Sequence, residues 1–193
     1  MAGDPGHWLL FSYSVPKDPS TARVNLWRRL RDLGVMYIGP SVALIPDSPE
    51  AREALDACRA AALEARGSAR LLAIDVPDRT AQESLVADFR TVRVAEYSEL
   101  QERAEAMVTE LTRESEGGKF IFAELEENED ELEKLERWFK RISARDAFGS
   151  PDQQASVTAL RRCREALALF RQTTVRREME FIEDVPNGSE DAD

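Results

Sequence analysis

Lys17, Arg23, Arg28, Arg29 and Arg31 crowd cationic side chains into one short stretch of the chain. Guanidinium and ammonium groups so placed hold phosphates or oxyanions, by charge and, for arginine, by paired N–H donors. On a helix Arg23, Arg28 and Arg31 fall roughly along one side, which makes this group the candidate DNA- or oxyanion-binding set. The plain alternative is a solvated face whose arginines pair with acids such as Asp32 or with those of the second half. A second basic group, Arg161, Arg162, Arg164, Arg171, Arg176 and Arg177, reads as neutralising the acidic stretch that precedes it.

Other chemistries find few candidates. The run Glu124–Glu136, ELEENEDELEKLE, has the carboxylates of a metal or acid–base site. It lacks a histidine and the spacing of a calcium loop, and it reads as a solvated helix face with Glu133→Arg137 and Glu136→Lys140 as i,i+4 partners. Glu124 and Glu127 flank the apolar stripe and remain available to a partner. His7 is the single histidine, which argues against histidine-based triads and multi-histidine metal sites. Ser12 and Ser14 lie outside any G-x-S-x-G elbow. Cys58 and Cys163 sit among alanines and leucines and read as small buried hydrophobes rather than nucleophiles or a disulfide. Gly117-Gly118 follows a helix and lacks the lysine spacing of a phosphate loop. The expectation is no catalytic residue, no metal, no cofactor and no enzymatic activity.

Charge divides the chain. Its 193 residues carry a formal net charge of −11. Residues 1–79 are neutral, with ten acids against ten bases, so the whole deficit falls on 80–193. A broad nucleic-acid surface is therefore excluded while a small one in the first half is not. No apolar run reaches the roughly 18 residues that a transmembrane helix needs, and cysteine usage suits a reducing compartment; a cytoplasmic location is expected.

The elements that must position these groups are legible. His7–Val15, HWLLFSYSV, is a strand ended by Pro16. Asp18-Pro19-Ser20-Thr21 opens a helix over Ala22–Leu33, with Val24, Trp27, Leu30 and Leu33 as the expected apolar stripe and Gly34 as its stop. Val35–Ile38 and Val42–Ile45 form a hairpin around Gly39-Pro40-Ser41. Ser48-Pro49 starts a helix over Glu50–Arg66, closed by Gly67, and Arg70–Val76 is a fourth strand. The order β-α-β-β-α-β is that of a ferredoxin-like domain. Beyond it, Thr80–Phe89 reads as a short helix, with Thr91–Val94 able to extend a strand. Helices over Glu96–Glu114 and Phe120–Ala144 follow, and a last helix starts at the capping box Ser150-Pro151-Asp152-Gln153 and continues to about Glu180. The expected organisation is a disordered N-terminus (1–7), a ferredoxin-like domain (8–79), a helical hairpin or small bundle (80–182) and a disordered acidic tail (183–193), an α+β fold overall.

Particular residues go further. Trp8–Pro16 (WLLFSYSVP), Thr21-Ala22-Arg23, Trp27-Arg28-Arg29-Leu30, Gly34 and Ile45-Pro46 resemble the N-terminal domain of the chromate-resistance ChrB family. Phe122–Gly149 is similar to that family's acidic helix and its R-W-x-x-R-I-x-x-R-D-x-F-G signature, here Arg137, Trp138, Arg141, Ile142, Arg145, Asp146, Phe148 and Gly149. The resemblance implies a bacterial regulator of a chromate-efflux operon that binds promoter DNA, with Lys17, Arg23, Arg28, Arg29 and Arg31 on phosphates. It leaves chromate as a possible ligand and a separate partner carrying the C-terminal domain that full-length relatives have; a homodimer is expected because the open face or edge of the sheet needs cover. A protein-interaction module built on the acidic half and a chromate sensor are the alternatives. Arg145 and Asp146 read as an intramolecular clamp. The first half also resembles the module shared by PaaX-type repressors and CRISPR-associated spacer-acquisition nucleases. The metal-binding aspartate of those nucleases has no counterpart here, since Tyr13-Ser14-Val15-Pro16 ends the strand and the nearest acid is Asp18.

Overall fold

A computed structural model describes residues 6–18, 20–118 and 120–183, the last three by backbone alone. The elements run β1 (His7–Ser14), α1 (Ser20–Leu33), β2 (Met36–Gly39), β3 (Val42–Pro46), α2 (Pro49–Glu64), β4 (Ser68–Asp75), α3 (Arg79–Glu116), α4 (Phe122–Arg145) and α5 (Asp152–Glu183). The protein is α+β as expected, with the sheet order β2-β3-β1-β4 and every pairing antiparallel. Of the two segments expected to be disordered, His7 opens β1 and Glu183 ends α5; residues 1–5 and 184–193 lie outside the described residues.

The chain forms two units, Met1–Glu96 with Arg141–Pro151, and Tyr97–Lys140 with Asp152–Asp193. In the first, β1 is central because its run is apolar on both faces. Trp8 and Leu9 are neighbours in a strand and so point to opposite faces, yet both are fully buried. Trp8 meets Phe89 of α3 and Phe148 of the α4–α5 connector, with ring centroids 6.0 and 5.6 Å away, and those two rings lie 5.6 Å apart. That aromatic trio covers one sheet face at its Trp8 end. On the opposite face β1 presents Phe11 and Tyr13, stacked at 5.6 Å. The helix α2 packs on β1 and β4 and against α1, burying Leu55, Cys58 and Ala62 with Leu26 and Leu30.

Local signals set the element ends. Ser48 adopts an extended conformation, and its side chain accepts a hydrogen bond from the Ala51 amide at 3.1 Å, with Pro49 in the first turn. At the far end of α2 the left-handed residue is Arg66 (φ 56°), not Gly67. Gly67 is needed for space instead: a Cβ there would stand 2.2 Å from the Ser14 carbonyl oxygen. The β2–β3 loop is tighter than expected, since Gly39 already pairs with Val42 across Pro40 and Ser41.

Two expectations need correcting. The stripe Val24, Trp27, Leu30 and Leu33 is not what α1 buries. Steps of three residues drift by about 60° each around a helix, so the three steps from Val24 to Leu33 turn through about 180° and the four residues cannot share a face. The buried line is Leu26 and Leu30 with Leu33 half-buried, while Val24 and Trp27 face solvent, 38% and 44% exposed. Residues 80–116 are one helix rather than a short helix, a strand option and a second helix. Neither glycine nor proline interrupts 79–116, and Phe89 and Arg93, one turn apart on that helix, are both buried, so tertiary packing overrides the weak strand preference of Val92 and Val94.

The second unit is a three-helix arrangement of the remainders of α3 and α4 with α5. Tyr97, Leu100, Ala104, Met107 and Leu111 of α3 are buried, as are Leu125, Leu132 and Leu135 of α4 and Leu160, Cys163, Leu167 and Phe170 of α5. Arg164 bonds Glu136 at 2.6 Å and Arg171 bonds Glu129 at 2.6 Å. Going back along α4 while going forward along α5 marks the two as antiparallel neighbours.

Candidate functional site

The reassigned face of α1 changes the surroundings of its arginines. Arg23, Trp27 and Arg31 succeed one another at i, i+4 and i+8, and Val24 and Arg28 form the adjoining row. All five side chains are exposed. The Arg31 guanidinium lies over the Trp27 ring, 5.4 Å from its centroid, a cation–π contact that holds both side chains in place. Lys17, from the segment between β1 and α1, joins Arg23 and Trp27 in a groove of about 410 Å³ whose floor includes Tyr13, Val15 and Val24. Ser41 of the β2–β3 turn closes one side of that groove, and its carbonyl accepts a hydrogen bond from the Tyr13 amide at 3.0 Å. Arg29 is also exposed but sits apart, round the helix towards α2, where its charge reaches Cys58.

The cations of this face stand without ion pairs, as do Arg66, Arg70, Arg141, Arg161 and Arg162 among the described residues. Arginines elsewhere are commonly paired: Arg52 with Asp47, Arg79 with Glu83, Arg103 with Glu99, Arg137 with Glu133 and Arg171 with Glu129. Lys17, Arg23, Arg28, Arg29 and Arg31 have no ion-pair partner among the described residues. The sequence signal for the cations was plain. Trp27 and Val24 were missed because they had been assigned to the core; the exposed row follows once Leu26 and Leu30 are taken as the buried line.

The signature motif has a different role. Arg145 donates to the Arg31 and Asp32 carbonyls at 3.2 and 3.0 Å and to Glu96 at 2.8 Å. It thus caps the Asp32 carbonyl at the C-terminus of α1 and adds a second bond to the Arg31 carbonyl, which also accepts from the Gly34 amide at 3.0 Å. The other Glu96 oxygen is 3.1 Å from Arg93, a side chain only 1% exposed that also stacks on Phe89 at 5.2 Å. The Arg93 guanidinium and the aliphatic stem of Arg145 lie on Gly34, where a Cβ would be 2.6 Å from the Arg145 Cδ and from the Arg93 Nη1. Phe148 completes the Trp8 cluster, its carbonyl taking a bond from Arg90 at 2.9 Å. Asp146 accepts from the Ser150 amide at 2.7 Å. These residues fix the C-terminal end of α1 and so the attitude of its exposed face.

The acids also sort themselves. Glu133 pairs with Arg137 as expected, whereas Glu136 pairs with Arg164 of α5 rather than with Lys140. Glu124 and Glu127 line an acidic groove of about 420 Å³ with Glu110, Glu114, Asn128 and Lys134. Glu114 is 6% exposed, and burial, followed by the charge of Glu124 and a hydrogen bond to it, raises its pKa above the usual carboxyl range. Among the described residues no group of three or more His, Cys, Asp or Glu is arranged to hold a metal ion. Burial raises the pKa of both cysteines, that of Cys163 to about 11, and Cys163 donates to the Ala104 carbonyl at 3.2 Å. No described helix is long and apolar enough to cross a membrane.

A ferredoxin-like sheet carrying an exposed arginine–tryptophan helix face, followed by a three-helix unit with an acidic groove, defines an α+β protein with two oppositely charged surfaces. The family profile described as "Protein ChrB, N-terminal" matches residues 23–181, and the chain belongs to that family, the chromate-resistance family that its sequence resembles. Protein ChrB of Cupriavidus metallidurans (strain ATCC 43123 / DSM 2839 / NBRC 102507 / CH34) is 30% identical over 94 residues, which cover 48% of this chain and 28% of that protein. The aligned part thus spans less than a third of the relative's length.

Proposed function

We propose that the chain is a non-enzymatic, cytoplasmic regulator related to chromate resistance that binds promoter DNA of a chromate-efflux operon, as a homodimer. Lys17, Arg23, Arg28 and Arg31 contact phosphates of one backbone, with Arg29 at the margin. The observation that carries this reading is the set of exposed cations on α1 with no ion-pair partner among the described residues. A cation already neutralised by a neighbouring carboxylate gains little from a phosphate; an unpaired one releases counterions and gains affinity. The neutral charge of residues 1–79 keeps this face from being overwhelmed by the acidic remainder at short range, since salt screens charges beyond about 8 Å at physiological ionic strength.

The test is electrophoretic retardation of duplex DNA from a chromate-operon promoter across a salt series. Binding at low salt that weakens steeply with salt is expected, and Arg28→Ala should reduce the logarithmic salt slope by about one. Failure to bind at low salt would sink the reading. The acidic groove of the second unit then puts a protein-interaction module ahead, because its buried Glu114 favours a basic partner group. Calorimetric titration with chromate, with sulfate as control, tests the arginines as an oxyanion sensor; heat with chromate alone supports it.

A further inference from the structure

We infer that the groove between α1 and the end of β1 accommodates an unpaired nucleobase together with its phosphate, so that this face recognises single-stranded or locally opened nucleic acid in preference to intact duplex. The inference rests on the proposed nucleic-acid reading and deepens it by naming the form of nucleic acid that the site takes.

Phosphate contacts alone need only exposed cations. This face offers more. Its cations border a hollow of about 410 Å³, within the size range of small-molecule sites. The walls of the hollow are apolar and aromatic: Tyr13, Val15, Val24 and Trp27. Trp27 leaves 44% of its surface in solvent; Arg31, one turn along the helix, lies over part of the ring, and the rest is open to a ligand. Tyr13 stacks on Phe11 at 5.6 Å with its hydroxyl 3.4 Å from that of Tyr37. Lys17 and Arg23 stand at the same hollow, where a phosphate attached to a seated base would lie.

This pairing of an aromatic surface with a cationic border is how single strands are held without regard to sequence. A base within an intact duplex keeps its faces stacked on its neighbours and cannot enter the hollow; an unstacked base can. The acidic groove of the second unit has the wrong charge for this ligand, so the groove at Trp27 is the element that separates the two forms of nucleic acid.

The full chain is titrated with a fluorescein-labelled single-stranded oligonucleotide and with the duplex of the same sequence, by anisotropy, and with dAMP and inorganic phosphate, by tryptophan fluorescence. The other two tryptophans are the fully buried Trp8 and the half-buried Trp138 of α4, so only the part of the quenching lost in Trp27→Phe reports the groove. The expected result is quenching by dAMP but not by phosphate, and tighter binding of the single strand than of the duplex. Trp27→Ala should cut that single-strand preference about ten-fold or more, with Trp27→Phe retaining most of it, whereas Arg28→Ala weakens both forms alike. Duplex binding with no single-strand preference, or a preference untouched by Trp27→Ala, overturns the groove assignment while leaving the DNA-binding proposal standing. Binding of neither form overturns both.

Discussion

Gly34→Ala offers the sharpest test of how α1 is anchored. Two independent penalties meet at this residue. Its φ of +81° lies in the left-handed region, where any Cβ costs on the order of 1 kcal/mol. The added Cβ would also stand 2.6 Å from both the Arg145 Cδ and the Arg93 Nη1, so at least one arginine side chain must leave its place. Arg145 is the less buried of the two, 14% exposed against 1%. Moving it sacrifices its bonds to the Arg31 and Asp32 carbonyls and to Glu96. A charged hydrogen-bonding group displaced in this way is worth about 2 kcal/mol, which brings the expected loss to about 3 kcal/mol. Urea unfolding followed by far-ultraviolet circular dichroism measures it, with an unchanged m value as the condition for reading a stability change. Repeating the substitution in an Arg145→Ala background separates the terms. With the side chain gone, Gly34→Ala should cost only about 1 to 2 kcal/mol, a coupling of at least about 1 kcal/mol between the two sites. A single-mutant cost below about 1 kcal/mol, or strictly additive effects, would refute the argument that both arginine side chains press on this glycine.

Other outcomes follow from the same geometry. Phe89→Ala removes a 1% exposed ring that touches Trp8, Phe148 and Arg93, and it should cost about 3 to 5 kcal/mol in the same urea assay. Glu114 has its folded-state pKa raised, so the folded protein binds its proton more tightly than the unfolded chain does. Its contribution therefore favours folding at pH values below the ordinary glutamate range and is lost as pH rises through its raised folded value. Glu114→Gln should stabilise the protein at pH 7 by about 1 kcal/mol and flatten the stability profile over that window, read by urea unfolding across a pH series. The exposed Arg164–Glu136 pair should give a coupling below about 0.5 kcal/mol in a double-mutant cycle, despite its short distance, because both partners remain in water.

Much of this protein was legible in its amino-acid order because the signals were local. The strand run Trp8–Phe11, the Ser48-Pro49 helix start and the stop at Gly34 each act within a turn or two of the backbone, and the order β-α-β-β-α-β followed from them with the observed sheet. The neutral first half and the cluster of α1 cations were equally plain, since charge needs only composition to be counted. The continuity of α3 was not legible, because Val92 and Val94 have competing preferences that only the burial of Phe89 and Arg93 resolves. Nor was the true face of α1: its apolar residues occupy two lines, and the choice between them depends on which line α2 and the sheet can cover. Packing selected Leu26 and Leu30 and left Trp27 beside Arg23 and Arg31. The cations on α1 are thus a property of the chain, whereas their union with an exposed indole and a hollow exists only in the folded protein. Residues from β1, α1 and the β2–β3 turn must converge to make it, and no periodicity within one segment encodes contacts among three.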